Sequence, residues 1–121
     1  METVRVEFKK SARASLENNA PEKVINEGIV KTVAAFLNTE GGTLGIGITD
    51  DGDILSLQPD LDFKHQDIDG YQNWLVTLLI NCIGAGVVGA QVSPRIESAG
   101  SEVVCLIDVK PSGKPVYAKT T

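Results

Sequence analysis

The 121-residue chain is poor in the residue types that usually announce a site. It has two cysteines, Cys82 and Cys105, and one histidine, His65. With no paired-cysteine spacing and no second histidine, nothing in the pattern supplies the four ligands of a structural zinc site. Both cysteines lie in apolar contexts and read as buried free thiols, unpaired in a reducing compartment. His65 falls in a loop beside Lys64 and Asp67, where a lone histidine is ordinarily exposed and idle. Aromatic residues make up 5% of the chain, so platforms for stacking bases are few. Tyr117 is the best candidate, whereas Trp74 and Phe36 fall in apolar helical patterns and read as core.

No apolar run approaches the roughly 20 residues of a membrane span. The longest, Trp74 to Ile80, is interrupted by Thr77 and followed by Asn81. The chain opens Met-Glu-Thr-Val-Arg-Val-Glu-Phe, charged and alternating and unlike a signal peptide, so a cytoplasmic location is expected. A nucleophile-base-acid triad is missing, and so is a phosphate-binding loop. Gly45 and Gly47 lack the spacing and the following helix of a dinucleotide fingerprint.

The net charge of −5 argues against a generic nucleic-acid binder, but its distribution is uneven. Residues 40–70 hold eight acids and one base, Lys64. Residues 1–20 and 101–121 each carry one more base than acid. Any polyanion contact is therefore expected at the ends of the chain. Lys9, Lys10 and Arg13 cluster after the first strand, and Lys110, Lys114 and Lys119 near the close. If the terminal strands are neighbours, these six bases form one patch suited to phosphate-backbone contacts that ignore sequence. A solvated, idle face is the plainer reading of the same charges.

Val4, Val6 and Phe8 alternate with charged residues, the period of a half-buried strand. Pro21, after the possible caps Asn18 and Asn19, opens a helix to about residue 38. Its apolar positions are Ile25, Ile29, Val33, Phe36 and Leu37, and Gly28 in its interior costs about 1 kcal/mol relative to alanine. Thr43–Thr49 reads as a strand, Asp50-Asp51-Gly52-Asp53 as a hairpin turn, and Ile54–Leu57 as the return strand. Residues 58–68 read as an acidic loop and 69–82 as a second helix. Ile83–Gly89 is expected to turn into a strand at 91–97, with another at 102–109 and a last short one at 115–119. The expected class is α+β, a mixed sheet with two helices in the order β-α-β-β-α-β-β-β and a single domain over 1–121. With no capping helix after the last strand, the chain reads as part of a longer multidomain protein with a further domain C-terminal to it.

Several stretches resemble one family. Val6-Glu7-Phe8-Lys9-Lys10-Ser11 is similar to an opening strand written E-F-K-x-S. Ala35-Phe36-Leu37-Asn38-Thr39-Glu40-Gly41-Gly42, running into Thr43-Leu44-Gly45-Ile46-Gly47-Ile48, is similar to a signature A-F-x-N-T-x-G-G followed by a strand ending in I-G-V. Asp50–Ile54 resembles the hairpin that follows, and Lys110-Pro111-Ser112-Gly113-Lys114-Pro115-Val116-Tyr117 the closing P-S-x-x-P-V-Y element. The family is the Schlafen/AlbA-type domain, found in bacterial and archaeal regulator-like or helicase-like proteins and in animal Schlafens.

The resemblance implies a DNA-binding module, or more broadly a nucleic-acid-binding one, within a transcriptional-regulator-like or defence-type protein. The contacts would come from Lys9, Lys10, Arg13, Lys110, Lys114, Lys119 and Tyr117, and no cofactor is implied. In some animal relatives the same fold cleaves RNA through three carboxylates and a divalent metal. Glu2 and Glu7 have the spacing of two of these. The third place, after the strand ending in I-G-V, is Thr49 here, with Asp50 next. A metal-dependent endoribonuclease using Glu2, Glu7 and Asp50 with Mg²⁺ or Mn²⁺ is thus one alternative. A non-catalytic interaction module, such as a homodimer formed through an exposed strand edge, is another. At Asn38, Thr39, Gly41 and Gly42 the expected role is a helix C-terminal cap, with Asn38 or Gly41 left-handed and Thr39 bonding freed backbone groups.

Overall fold

The computed structural model of the chain describes residues 5–16 and 19–119. Its elements are β1 (Val6–Lys9), α1 (Glu22–Leu37), β2 (Gly42–Ile46), α2 (Gln58–Phe63), α3 (Ile68–Ile83), α4 (Ala85–Gln91), β3 (Val92–Ala99) and β4 (Glu102–Val109). The four strands form one mixed sheet in the order β1-β2-β4-β3. β1 runs parallel to β2, with Val6 opposite Thr43 and Lys9 opposite Ile46. The other pairs are antiparallel, Gly42 standing opposite Val109 and Val92 also opposite Val109 on its other side. The α+β class holds.

The core lies between one face of the sheet and the helices. Leu44, Ile46, Cys105 and Ile107 from the sheet meet Ile29, Val33 and Leu37 of α1 and Tyr71, Leu75 and Leu79 of α3. Each helix supplies its share at three- and four-residue spacing, so one stripe is buried and the rest stays wet. The opposite sheet face is polar along part of its length: Thr43 donates to Asp108 at 2.9 Å, and Arg95 donates to Asp108 at 2.7 Å and also pairs with Glu97. The Arg95 hydrogen bond, the largest cause, holds the Asp108 carboxyl below its ordinary value.

Strand β1, helix α1, the cap after α1 and the β3–β4 hairpin follow the periodicity of the sequence. Val4 and Asn18 lie outside the described residues. Pro21 itself takes the cap position of α1, with an extended backbone and a carbonyl that accepts from Val24 at 3.0 Å. Thr39 Oγ1 donates to Ala35 O at 2.8 Å. Gly41, not Asn38, is left-handed, at φ 81°. A side chain at Gly41 would stand 2.4 Å from the Val109 carbonyl, so this glycine closes the helix and lets the chain pass β4.

Four expectations fail. Ile54–Leu57 is not a return strand: one bridge, Ile48 to Ile54, is all that forms. The Leu55 and Ser56 amides both donate to Gly47 O, and Ser56 sits at φ 84°, which bends the chain out of extended geometry. Residues 58–68 are not merely a loop, because Gln58–Phe63 is helical, with a proline in its first turn. The glycine-rich Ala85–Gln91 is a helix, set off from α3 by Gly84 at φ 119°. Burial of Val88 outweighs the poor propensity of the segment. Residues 115–119 form no strand; side-chain and single backbone bonds hold them instead.

The short helix α2 contributes Asp60, which is 1% exposed. Its carboxylate accepts from the backbone amides of Ala12 (2.8 Å), Arg13 (3.1 Å) and Ala14 (2.8 Å). It also accepts from the Tyr71 hydroxyl at 2.7 Å. Burial first, then the adjacent Asp60 charge, push the Tyr71 phenol far above its ordinary value, so it remains a donor. Replacing Asp60 by alanine orphans three buried amides and a hydroxyl, and is expected to cost about 3–5 kcal/mol. Tyr71→Phe keeps the amide bonds and should cost only about 1–2 kcal/mol. Urea unfolding of the two variants checks this; equal losses would show that the amide cluster contributes little.

Candidate nucleic-acid interface

The sheet register places the basic residues in two groups. Val109 stands opposite Gly42 at the start of β2, so Lys110 follows at that end of the sheet. Lys9 stands opposite Ile46 at the other end of β2. Lys110 is thus level with Gly41, five residues from Ile46, and at roughly 3.3 Å per residue the two lysines are about 17 Å apart along the strands. The terminal segments are not neighbouring strands, and the six bases do not form one patch.

Arg13 leaves its expected place altogether. It is 8% exposed, and its guanidinium donates to Glu22 at 2.6 Å and to Gln66 at 3.0 Å. The same group stacks over the Trp74 ring, 4.1 Å from the centroid. Buried among these partners, it ties the loop after β1 to α1 and α3. Trp74 is half-buried under it, 5.5 Å from the Tyr71 ring, whereas Phe36 is fully in the core.

Residues 110–119 carry three lysines and no acid. Lys110, Lys114 and Lys119 are exposed, and Tyr117 is 85% exposed. The segment is nevertheless pinned at several points. The Lys110 amide donates to Gln91 O and the Ser112 amide to Leu37 O, both at 2.9 Å. The Asn38 side-chain amide pairs with Val116 as a backbone would, Nδ2 donating to Val116 O at 2.9 Å and Oδ1 accepting from Val116 N at 2.8 Å. The Lys119 amide donates to Cys82 O at 2.8 Å. A cleft of ≈ 450 Å³ separates Leu37–Thr39 from Pro111–Pro115. The two sequence motifs that frame it, N-T-E-G-G and P-S-G-K-P-V-Y, are thus packed on each other.

Lys114 lies in that cleft at the C-terminal end of α1. Carbonyls there carry partial negative charge and favour a cation, so an anion at this surface must be held by the ammonium groups and not by the helix. Arg5, which the sequence did not single out, belongs to the same end of the sheet. Its carbonyl accepts from the Thr43 amide at 2.8 Å, and the residue is exposed. Only strand pairing reveals this, because Arg5 and Lys110 are far apart in the chain.

A second cleft, ≈ 350 Å³, opens between the end of β1, the loop after it and the first turns of α1. Lys9 and Lys10, both half-buried, line it together with Asp50. Glu7 is exposed on β1, opposite Leu44, and Glu2 lies outside the described residues. Among the described residues no three His, Cys, Asp or Glu side chains gather closely enough to hold a metal ion. Glu7 and Asp50 are therefore not joined by a third described carboxylate. Burial pushes the Cys105 thiol up to about 12, which makes it inert, and Cys82 is half-buried. His65 is exposed in the turn after α2.

Asp60 does not stand out in the sequence, where it is one acid among eight. A signal was present all the same: Pro59 in a first helical turn and Leu57 and Leu61 four apart.

No described helix is long and apolar enough to cross a membrane. The family model described as "Schlafen, AlbA_2" matches residues 2–121. No curated protein matches the sequence. Among solved structures, the DIP2311 protein from Corynebacterium diphtheriae is similar at a TM-score of 0.62 and 23% identity, over 92% of this chain and 18% of that one. The N-terminal domain of a DNA helicase RecG-related protein from Nitrosomonas europaea is similar at a TM-score of 0.57 and 19% identity, over 96% of this chain and 69% of that one. The chain thus spans about a fifth of the length of the Corynebacterium protein, and at these identities the likeness is one of fold.

If the Asn38 side chain holds the closing segment, Asn38→Ala should free it. The expected cost is about 1–2 kcal/mol of stability for two exposed hydrogen bonds, with amide exchange at Val116 accelerated at least about tenfold. Unchanged exchange at Val116 would show that other contacts fix the segment.

Proposed function

The chain belongs to the Schlafen, AlbA_2 family, and on that premise we propose that it is a nucleic-acid-binding module of a larger regulator-like or defence-type protein, gripping phosphate backbones with Lys110, Lys114 and Lys119. The observation that carries this reading is the pinned closing segment, which presents three exposed lysines and the 85% exposed Tyr117 without an acid among them. Arg5 extends the same surface at the start of β1.

Lysine ammonium groups neutralise phosphates without reading bases. Tyr117 adds an aromatic face on which an unpaired base can stack. A segment already held by Asn38, Leu37 and Cys82 loses little freedom on binding, so more of the contact energy appears as affinity. Glu40 is the one acid of residues 40–70 beside the closing segment, whereas Asp50, Asp51 and Asp53 follow the far end of β2, a distribution that favours polyanion contact at the basic end. A strand laid across that end and continued along β1 would reach Lys9 and Lys10 about 17 Å further on, roughly five phosphates at 3.4 Å spacing.

Fluorescence anisotropy against labelled single strands and duplexes, over a salt series, tests the reading. The triple variant Lys110→Glu, Lys114→Glu, Lys119→Glu should lower affinity for both polymers. Its salt dependence should flatten by about 0.7–0.9 in slope for each phosphate that is no longer neutralised. Tyr117→Ala should weaken single-strand binding by about 1–3 kcal/mol and leave duplex binding unaltered. Wild-type affinity and slope in the triple variant would remove this surface from consideration.

A further inference from the structure

We infer that the ≈ 350 Å³ cleft between the end of β1 and the first turns of α1 is a separate binding site for a nucleoside monophosphate. The proposal does not depend on the Lys110/Lys114/Lys119 surface, which lies at the other end of the sheet; Lys9 and Lys10 are the residues that a strand continued along β1 would share with this cleft.

The cleft has the volume of a small-ligand site and two kinds of wall. One wall is apolar: Leu16, 42% exposed, and Val24, 54% exposed, leave hydrophobic surface open to water beside Ile25. A flat ring laid against them would remove that surface from solvent. The rim is polar. Lys9 is half-buried and has no ion-pair partner among the described residues, so its ammonium is open to a counter-charge from a ligand. A phosphate supplies it. Asp50 on the same rim accepts hydrogen bonds, which suits ribose hydroxyls or an exocyclic amine. Apolar ring, anion and hydroxyl donors together define a nucleotide.

Gly28 points the same way independently. It is the one glycine inside α1 and forms part of the cleft lining. A Cβ built there meets nothing within 4 Å, so packing does not require glycine at this position. What its missing side chain preserves is the open space of the cleft. The facing wall is prebuilt, because Asp60 fixes the backbone of Ala12–Ala14 immediately before Ser15 and Leu16. Little ordering is then left for the ligand to impose.

The test is titration of the isotopically labelled chain with AMP, adenosine and inorganic phosphate, followed by amide chemical shifts. AMP should saturate, with shifts gathered at residues 10–16 and 24–28 and with affinity about tenfold or more above either fragment alone. Gly28→Leu, which drives a side chain into the cleft, should abolish AMP binding. Gly28→Ala should keep it and raise the thermal midpoint, which shows that the helix tolerates substitution there. Lys9→Ala should weaken AMP about tenfold and leave adenosine unaffected, and the Lys110/Lys114/Lys119 triple variant should bind AMP normally. A 5′-phosphorylated trinucleotide that displaces AMP would identify a strand end as the natural source, and one that does not would identify the free nucleotide. Absence of saturable shifts at this cleft, or undiminished AMP binding by Gly28→Leu, overturns the proposal and leaves the polymer surface standing.

Discussion

The Asp60 carboxylate is the point on which the rest of this structure hangs. Four donors converge on it, three of them consecutive amides of a segment without secondary structure of its own. Such amides would otherwise be buried without acceptors, an expensive condition. An ionised carboxylate suits them better than a neutral amide, being acceptor-only and forming stronger bonds to backbone donors. By fixing residues 12–14 it also aims the Arg13 guanidinium at Glu22, Gln66 and Trp74. One side chain on a six-residue helix thereby couples the exit of β1 to α1, α2 and α3.

What the sequence disclosed, it disclosed through period. Val6 and Phe8 marked a strand, Ile29, Val33 and Leu37 a helix, and the alternation after Val92 and Glu102 a hairpin whose turn contains Gly100. These patterns are visible because one face is buried and the other wet over several residues. The failures share a different cause. Gln58–Phe63 is too short for a helical period to register, and its acids disguised a proline start. Ala85–Gln91 folds as a helix through the burial of Val88 against the fold, a tertiary effect that no local propensity contains. Residues 115–119 have the alternation of a strand but find an asparagine side chain in place of a partner strand. The site suffered in the same way. Lys110, Lys114 and Tyr117 were legible as exposed residues near a motif, whereas the seclusion of Arg13 and the company of Arg5 depend on long-range pairing.

Charge alone describes this molecule poorly. A net charge of −5 coexists with a closing segment that has no acid, and segregation of the two signs matters more for polyanions than their sum. The fold is shared with segments of longer proteins, and a shared fold does not transmit a function. The two surfaces proposed for function differ in character. One is an exposed basic ledge anchored by an asparagine, the other a half-apolar cleft kept open by a missing side chain.

The placement of β1 carries a consequence for how the protein is made. Among the described residues its four pair only with β2, and β2 is completed on its other side by β4, the last described strand. A lone pair of short parallel strands has little stability in water, so β1 has no durable partner until β4 is in place. Between Lys9 and Glu102 the ribosome adds about 90 residues, which at roughly 5–20 residues per second occupies about 5–20 s. The β3–β4 hairpin, being local, closes within microseconds of its synthesis. The sheet therefore grows from its newest end toward its oldest. Of the four described strands, the one made first is the last to be secured, and until then it stays open to proteases, chaperones and misplaced strands.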